Sequence, residues 1–168
     1  MILAQKGAIG LTKTNAMRLL DQAKILYKAL EYQWDEEHLN GEHVAKEIGV
    51  PAEQVFKTLV ARGDKKGILV FCIPVNTELN LKKAAIAVGD KKVELIAVKE
   101  LLGLTGYIRG GCSPIGMKKK YPTYMDETAI LYDTIVVSAG VRGCQLHMKR
   151  EDLVNYVDAS LCELADEM

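Results

Sequence analysis

Apolar residues recur at spacings of three and four in several stretches of the chain, and this spacing is typical of amphipathic helices. The longest such stretch covers residues 14–30, with Thr14 or Asn15 as the N-cap, and another covers residues 153–164 near the C-terminal end. Three shorter helices are predicted where an apolar or alanine-rich segment stops at a glycine, over residues 44–48, 81–88 and 98–102.

Short segments rich in β-branched and aromatic residues predict strands between these helices. Residues 55–61 are compatible with a helix or a strand, but the Gly63-Asp-Lys-Lys-Gly67 turn and the apolar run after it favour a hairpin with residues 67–73. Further strands are predicted at 93–95, 123–125, 129–132, 134–137 and 144–148. The pattern predicts an α+β domain, in which helices pack on a mixed or antiparallel sheet.

Composition limits the architecture to one ordinary globular domain over residues 1–168, with residues 1–13 as a short N-terminal extension. The longest apolar run, residues 68–75, contains a proline and is far shorter than the roughly 20 residues that cross a bilayer. We therefore expect no membrane partner. Residues 1–10 lack the features of a secretory signal, so the sequence predicts a cytoplasmic protein.

Charge and cysteine content exclude other classes of protein. The 22 basic and 22 acidic residues balance, which argues against a protein that coats nucleic acids but allows a local basic patch. The four cysteines form no C-x-x-C pair and no Cys/His set at metal-ligand spacing, so we expect reduced thiols, no metal site and no cofactor. Common nucleotide-binding and serine-hydrolase motifs are missing, and the three histidines lie in different segments.

The segment from Thr105 to Pro122 combines four glycines and two prolines with the basic run Lys118, Lys119 and Lys120. Glycines let successive backbone N–H groups converge on a carbonyl oxygen or an anion, as in an oxyanion hole or a phosphate-binding loop. The alternative is a plain surface turn beside a solvated charge run. Composition alone does not separate these two interpretations.

Lys57 lies inside the apolar run Val55-Phe-Lys-Thr-Leu-Val60. Strand alternation would place Val55, Lys57 and Leu59 on one face. A lysine there near a cleft is a natural counter-charge for a phosphate. The alternative is an edge-strand lysine that discourages aggregation.

Three ordered motifs resemble the YbaK/EbsC family of aminoacyl-tRNA deacylases, which are relatives of the editing insertion domain of bacterial prolyl-tRNA synthetase. These motifs are Gln54-Val-Phe-Lys-Thr-Leu59, Gly110-Gly-Cys-Ser-Pro-Ile-Gly116 with the lysines after it, and Val137-Ser-Ala-Gly-Val-Arg-Gly143. The resemblance covers about residues 16–166. It implies a mixed α/β fold around a bent, barrel-like sheet and a trans-editing hydrolase that cleaves the ester of mischarged tRNA, with Cys-tRNA(Pro) favoured and Cys-tRNA(Cys) as a further substrate.

The resemblance also implies roles for individual residues. Lys57 falls on the family's functional lysine, which holds the terminal nucleotide, and Gly110 and Gly111 begin the loop that we expect to stabilise the oxyanion. The predicted substrate-binding residues are Tyr32, Cys112, Ser113, Pro114, Gly116, Ser138, Arg142, Gly143 and Gln145. The predicted contacts to the tRNA backbone are Lys118, Lys119 and Lys120, with Arg142, Lys149 and Arg150 as further basic residues. A prolyl- or cysteinyl-tRNA synthetase is a possible partner, and the resemblance implies a monomer or weak homodimer.

Three positions depart from the family pattern: Gln145 replaces an aspartate, Ala139 replaces a glycine, and Cys112 replaces an aliphatic residue. In cysteine-specific members the substrate's own thiol attacks its ester, which would explain why no Ser-His-Asp set is needed. Gln145 and Ala139 motivate a second interpretation, a catalytically silent module that binds the tRNA 3′ end or a synthetase-associated factor. A third is a thiol enzyme that uses Cys112, with its pKa lowered by nearby lysines.

Overall fold

The computed structural model describes residues 12–168, so residues 1–11 of the predicted N-terminal extension lie outside the described residues. The described chain contains five α-helices: α1 (Asn15–Gln22), α2 (Gly41–Ile48), α3 (Leu81–Val88), α4 (Val98–Thr105) and α5 (Arg150–Val157). None of these helices is long and apolar enough to cross a bilayer. Its strands are β1 (Tyr27–Glu31), β2 (Phe56–Gly63), β3 (Gly67–Pro74), β4 (Thr77–Leu79), β5 (Val93–Leu95), β6 (Thr123–Asp126), β7 (Thr134–Ser138), β8 (Cys144–Lys149), β9 (Ser160–Cys162) and β10 (Ala165–Glu167).

The predicted hairpin is confirmed and forms the centre of the larger sheet. β2 and β3 pair antiparallel from Phe56↔Pro74 to Gly63↔Gly67. The sheet has the order β5-β2-β3-β6-β9, with β5 antiparallel to β2 and with β6 and β9 added in parallel. This mixed sheet agrees with the predicted α+β class.

A second sheet, of order β1-β8-β7, is antiparallel throughout. It meets the first sheet at the bridge Val55↔Val136, and the Gln54 side chain donates to the Thr134 carbonyl at 2.8 Å beside it. A short pair of β10 and β4 completes the strands of the described chain. Within residues 12–168 the sheets do not close into a barrel, because β5 and β9 end the larger sheet as edge strands.

Local signals that the sequence carries explain the helices that were predicted correctly. Asn40 caps α2 and Asn80 caps α3, since each side chain accepts a hydrogen bond from the third backbone N–H after it. Both helices end at the predicted glycines, Gly49 and Gly89. The helix predicted over residues 98–102 continues past Gly103 to Thr105 and ends at Gly106.

The helix predicted over residues 14–30 is correct only in its first half. α1 starts after the predicted N-cap, Thr14, but ends at Gln22 because Lys24 adopts a left-handed conformation (φ 60°). Residues 27–31 instead form β1, which pairs with β8 along its whole length. Their pairing partners are more than 100 residues away, so the local apolar spacing cannot reveal them.

Two further predictions are wrong in segments that the buried carboxylate of Asp126 contacts. Its Oδ2 accepts hydrogen bonds from Thr128, which starts a 3₁₀ helix over Glu127–Leu131 where a strand was predicted. Its Oδ1 accepts the N–H groups of Leu164 and Ala165 at 3.0 Å each. The helix predicted over residues 153–164 ends at Val157, because Asp158 adopts a left-handed conformation (φ 57°), and the chain continues as β9 and β10.

Asp126→Ala is expected to lower the free energy of unfolding by about 2 kcal/mol, because buried N–H groups lose their acceptor. Urea denaturation of Asp126→Ala beside Asp133→Ala, an exposed aspartate a few residues later, measures the difference. Equal midpoints and slopes for the two variants would contradict this role of Asp126.

Candidate functional site

A cavity of about 470 Å³ opens between β2, the start of α2 and the loop before Ser113. Five of the residues predicted from the sequence line it together: Lys57, Gly110, Cys112, Ser138 and Gln145. They come from four separate parts of the chain, and the β2–β7 junction at Val55↔Val136 brings them to one place. The cavity is therefore the candidate functional site.

Lys57 is the second residue of β2 and is half-buried at the cavity wall. Val55 and Leu59 line the same cavity, but so do Phe56, Thr58 and Val60, so the lining does not separate the two faces that strand alternation predicts. Burial lowers the pKa of the Lys57 ammonium, while the carboxylates of Glu42 and Glu78 act in the opposite direction. No carboxylate in the described chain lies within salt-bridge distance of this ammonium, which is consequently available to an anionic ligand.

Gly110 brings the glycine loop against the cavity with a left-handed backbone (φ +87°). A Cβ at this position would lie 3.2 Å from Arg142 Nε and 3.2 Å from Leu39 Cδ2, so only glycine fits without displacement. The amide of Gly111 donates to the Ile108 carbonyl at 2.9 Å. No hydrogen bond from the amides of Gly110 and Cys112 occurs within the described residues, and both residues line the cavity, so these two amides are candidate donors for a ligand oxygen.

Arg142 supports the glycine loop and does not line the cavity. Its Nε donates to the Arg109 carbonyl at 2.9 Å, and its guanidinium lies over the Trp34 ring, 5.2 Å from the ring centroid. Gly143 packs against the same tryptophan and accepts a hydrogen bond from the Tyr32 amide at 3.0 Å. Of the predicted substrate-binding residues, Tyr32, Arg142 and Gly143 are thus placed behind the loop and do not line the cavity.

The second half of the loop is anchored to the core. The Ser113 hydroxyl is buried and accepts the Ile115 amide at 3.2 Å, and Gly116 packs against α1. Tyr107 donates its hydroxyl to the Ile115 carbonyl, and its ring packs on Gly140. Ser113, Pro114 and Gly116 therefore shape the loop without lining the cavity, and Tyr107 is a positioning residue that the sequence reasoning missed.

The lysine run lies away from the cavity. Lys118 Nζ donates to the Gly103 carbonyl at 3.4 Å, and Lys120 lies 3.9 Å from the Asp158 carboxylate. Lys118, Lys119 and Lys120 do not line the cavity, so the predicted contact with the tRNA backbone would be made outside it. That contact stays a prediction.

Gln145 and Ser138 face each other across β8 and β7 and close one end of the cavity. The Ser138 hydroxyl accepts the Gly140 amide at 3.1 Å. Gln145 is only 6% exposed, and no described residue hydrogen-bonds its carboxamide. The cavity therefore presents a neutral group that can both donate and accept, where the family pattern has a carboxylate.

Cys112 does not have the electrostatics of a nucleophile. Burial is the main reason that the pKa of this thiol rises to about 12, so the thiol is protonated at neutral pH. This finding corrects the expectation that nearby lysines lower the pKa of Cys112. Among the described residues, no group of three His, Cys, Asp or Glu side chains could hold a metal ion.

Cys112→Ser is therefore expected to keep most of the wild-type activity toward an aminoacyl ester. Hydrolysis rates for Cys112→Ser and for Cys162→Ser, a half-buried cysteine outside the cavity, provide the comparison. Loss of activity in Cys112→Ser alone, with unchanged thermal stability, would restore the thiol-enzyme interpretation.

Sequence reasoning also missed charged residues of the cavity wall. Glu42 in the first turn of α2 and Arg109 at the start of the glycine loop both line the cavity. Glu42 follows Gly41 and Arg109 precedes Gly110, but a single charged residue next to a glycine is too common in sequences to predict a functional site.

The chain is similar to known proteins over most of its length. The sequence model of the aminoacyl-tRNA editing domain matches residues 36–156. A protein of Enterococcus faecalis named as a candidate Cys-tRNA(Pro)/Cys-tRNA(Cys) deacylase, EbsC, is 50% identical over 152 residues, which are 90% of this chain and 93% of that protein.

Solved structures show the same fold at lower sequence identity. A candidate trans-editing enzyme for prolyl tRNA synthetase superposes with a TM-score of 0.79 at 23% identity, covering 93% of this chain and 99% of that one. The hypothetical protein APE2540 superposes with a TM-score of 0.80 at 20% identity, covering 89% and 97% of the two chains.

Proposed function

The chain belongs to the aminoacyl-tRNA editing domain family, and we propose that it hydrolyses the ester of a mischarged tRNA, with Cys-tRNA(Pro) as the favoured substrate and Cys-tRNA(Cys) as a second one. The observation that carries this proposal is the convergence of Lys57, Gly110, Cys112, Ser138 and Gln145 on one cavity. These residues supply a cation, two free amide donors and a neutral polar end, which together suit an ester flanked by a nucleotide.

The glycine loop provides the electrostatic part of the reaction. When a nucleophile adds to the ester carbonyl, negative charge develops on its oxygen, and the free amides of Gly110 and Cys112 are the donors that stabilise it. Collapse of the tetrahedral intermediate breaks the bond between the acyl carbon and the ribose oxygen, which leaves with a proton. Lys57 holds the phosphate or ribose of the terminal nucleotide, which fixes the ester against the loop.

The nucleophile comes from the substrate or from water. The Cys112 thiol is protonated at neutral pH, and no histidine lines the cavity in the described chain. A cysteinyl ester carries its own thiol, whose intramolecular attack avoids the entropic cost of bringing in a second molecule. The attack gives a four-membered thiolactone, with the thiol proton passing to the leaving ribose oxygen, and water then opens the thiolactone to free cysteine. An alanyl ester has no thiol and requires water, so we propose that it reacts more slowly.

The remaining partners follow from the substrate. We propose that Lys118, Lys119 and Lys120 contact the phosphates of the acceptor stem, where they add salt-dependent affinity and little sequence information. Discrimination between tRNAs is then supplied in part by a prolyl- or cysteinyl-tRNA synthetase, with the protein as a monomer or weak homodimer. Aminoacylated tRNA is used in the cytoplasm, which is the proposed location.

Single-turnover deacylation of Cys-tRNA(Pro), Cys-tRNA(Cys) and Ala-tRNA(Pro) tests the proposal, with the spontaneous rate of each ester as its reference. The expected result is rapid loss of both cysteinyl esters and slower loss of the alanyl ester. Faster loss of the alanyl ester would keep the activity but overturn the specificity. Binding of tRNA without hydrolysis of any ester would favour a catalytically silent binding module.

A further inference from the structure

Three charged side chains line the candidate site: Glu42, Lys57 and Arg109. Two of them are cations, which suit the phosphates of a nucleotide. Glu42 is the one acidic side chain among the described lining residues, and phosphate recognition gives it no role. Its presence beside a phosphate-binding cation requires another explanation.

The fold fixes the backbone of Glu42 at the cavity edge, while its side chain is exposed. The Asn40 side chain caps α2 through the His43 amide at 2.9 Å, which sets the direction of the first turn. The next residue, Gly41, is packed so tightly that a Cβ there would lie 2.4 Å from Val75 Cγ1. Glu42 follows directly, and its charge acts on Lys57 across the cavity.

The Glu42 carboxylate makes no ion pair with a described residue. No basic side chain of residues 12–168 lies within 4.0 Å of it, although Lys57 is near enough to respond to its charge. It is thus an exposed anion without an ion pair, on the wall that the candidate site shares with the pocket beside β4 and β10. An aminoacyl ester carries one cation, the α-ammonium on the carbon next to the reacting carbonyl, and Gln145 offers no charge to bind it.

We propose that the carboxylate of Glu42 binds the α-ammonium of the aminoacyl group, so that the enzyme acts on esters with a free amino group and rejects N-acylated ones. This inference rests on the proposed function and adds the substrate class to it. Acylation converts the ammonium to a neutral amide, which removes the attraction and adds bulk next to the carboxylate. Esters of N-formylated or peptidyl tRNA would accordingly be spared.

The test compares kcat/KM for Cys-tRNA(Pro) and N-acetyl-Cys-tRNA(Pro), each rate divided by the spontaneous rate of the same ester. N-acetylation leaves the substrate thiol intact, so the comparison isolates the amino group. Glu42→Gln removes the charge at nearly constant size. Glu78→Gln is the matched control, because Glu78 also acts on Lys57 but does not line the cavity.

Wild type is expected to prefer the free cysteinyl ester by more than about tenfold, and Glu42→Gln to lose about tenfold on that ester alone. The preference should survive in Glu78→Gln. Equal loss on both esters in Glu42→Gln would overturn the proposal, because it would mean that Glu42 acts only through Lys57. Equal rates of the two esters in wild type would also overturn it.

A binding measurement separates this inference from the proposed function. The probe is a tRNA(Pro) acceptor-stem minihelix ending in 3′-cysteinylamino-3′-deoxyadenosine, whose amide link is not hydrolysed, with and without an N-acetyl group. Tighter binding of the free-amine form, lost in Glu42→Gln and kept in Glu78→Gln, supports the ammonium contact even if the esters are not turned over. Equal Kd values for the two forms in wild type would contradict it.

Discussion

Lys57→Ala is expected to lower kcat/KM for Cys-tRNA(Pro) by about 100-fold, because the cavity loses the cation that holds the terminal nucleotide. Because this ammonium is half-buried, its attraction to an anionic ligand is stronger than that of a surface charge. Single-turnover hydrolysis and tRNA binding measure the two parts of the effect. Lys65→Ala, in the exposed turn of the same hairpin, is the matched control and is expected to behave as wild type.

Lys57→Arg provides a pH-dependent test of the same role of Lys57. Since burial lowers the pKa of the Lys57 ammonium, wild type is expected to lose affinity for the unacylated minihelix, which carries no titrating amine or thiol, at alkaline pH, beginning below the ordinary lysine pKa. The arginine variant keeps its charge, so this alkaline loss should disappear. Activity of Lys57→Ala equal to that of Lys65→Ala would contradict the assignment of Lys57 to the site.

Gly110→Ala is expected to lower the deacylation rate by at least about 100-fold, comparable to losing an oxyanion-hole donor. The new Cβ would press on Arg142 and Leu39 at 3.2 Å, which displaces the loop amides from the ester oxygen. Gly67→Ala is the matched control, since Gly67 has a similar φ of +77° but no atom within 4 Å of a Cβ.

Both glycine variants carry the cost of a left-handed alanine, about 1–2 kcal/mol of stability. Thermal denaturation should therefore show a similar loss for each, while the loss of activity should be confined to Gly110→Ala. Equal activity of the two folded variants would show that the loop does not set the reaction rate.

Local signals were sufficient for part of the fold. The Gly63–Gly67 turn, the Asn40 and Asn80 caps and the glycines after α2 and α3 act within a few residues, so the hairpin and these helices were predictable. β1 and β10 were not, because their pairing partners lie far away in the chain. The apolar spacing over residues 153–164 suits a helix, but the Asp126 carboxylate holds its last part as extended chain.

The motifs that form the candidate site were predictable, but the sequence did not show which residues of each motif line the cavity and which support the loop. The same loop contains Gly110, which lines the cavity, and Ser113, which is hydrogen-bonded into the core. Similarly, Ser138 lines the cavity while Arg142 of the same motif supports the loop from behind. Sequence order does not reveal which face of a loop a residue occupies, and it gave no signal for Glu42.

The most direct test of the central claim is a crystal structure of the protein bound to the minihelix that ends in 3′-cysteinylamino-3′-deoxyadenosine. We expect the cysteinyl carbonyl oxygen to lie within hydrogen-bond distance of the Gly110 or Cys112 amide, with Lys57 Nζ on the phosphate or ribose. An analogue whose acyl group lies away from the glycine loop, for example in the acidic pocket beside β4 and β10, would contradict this assignment of the site.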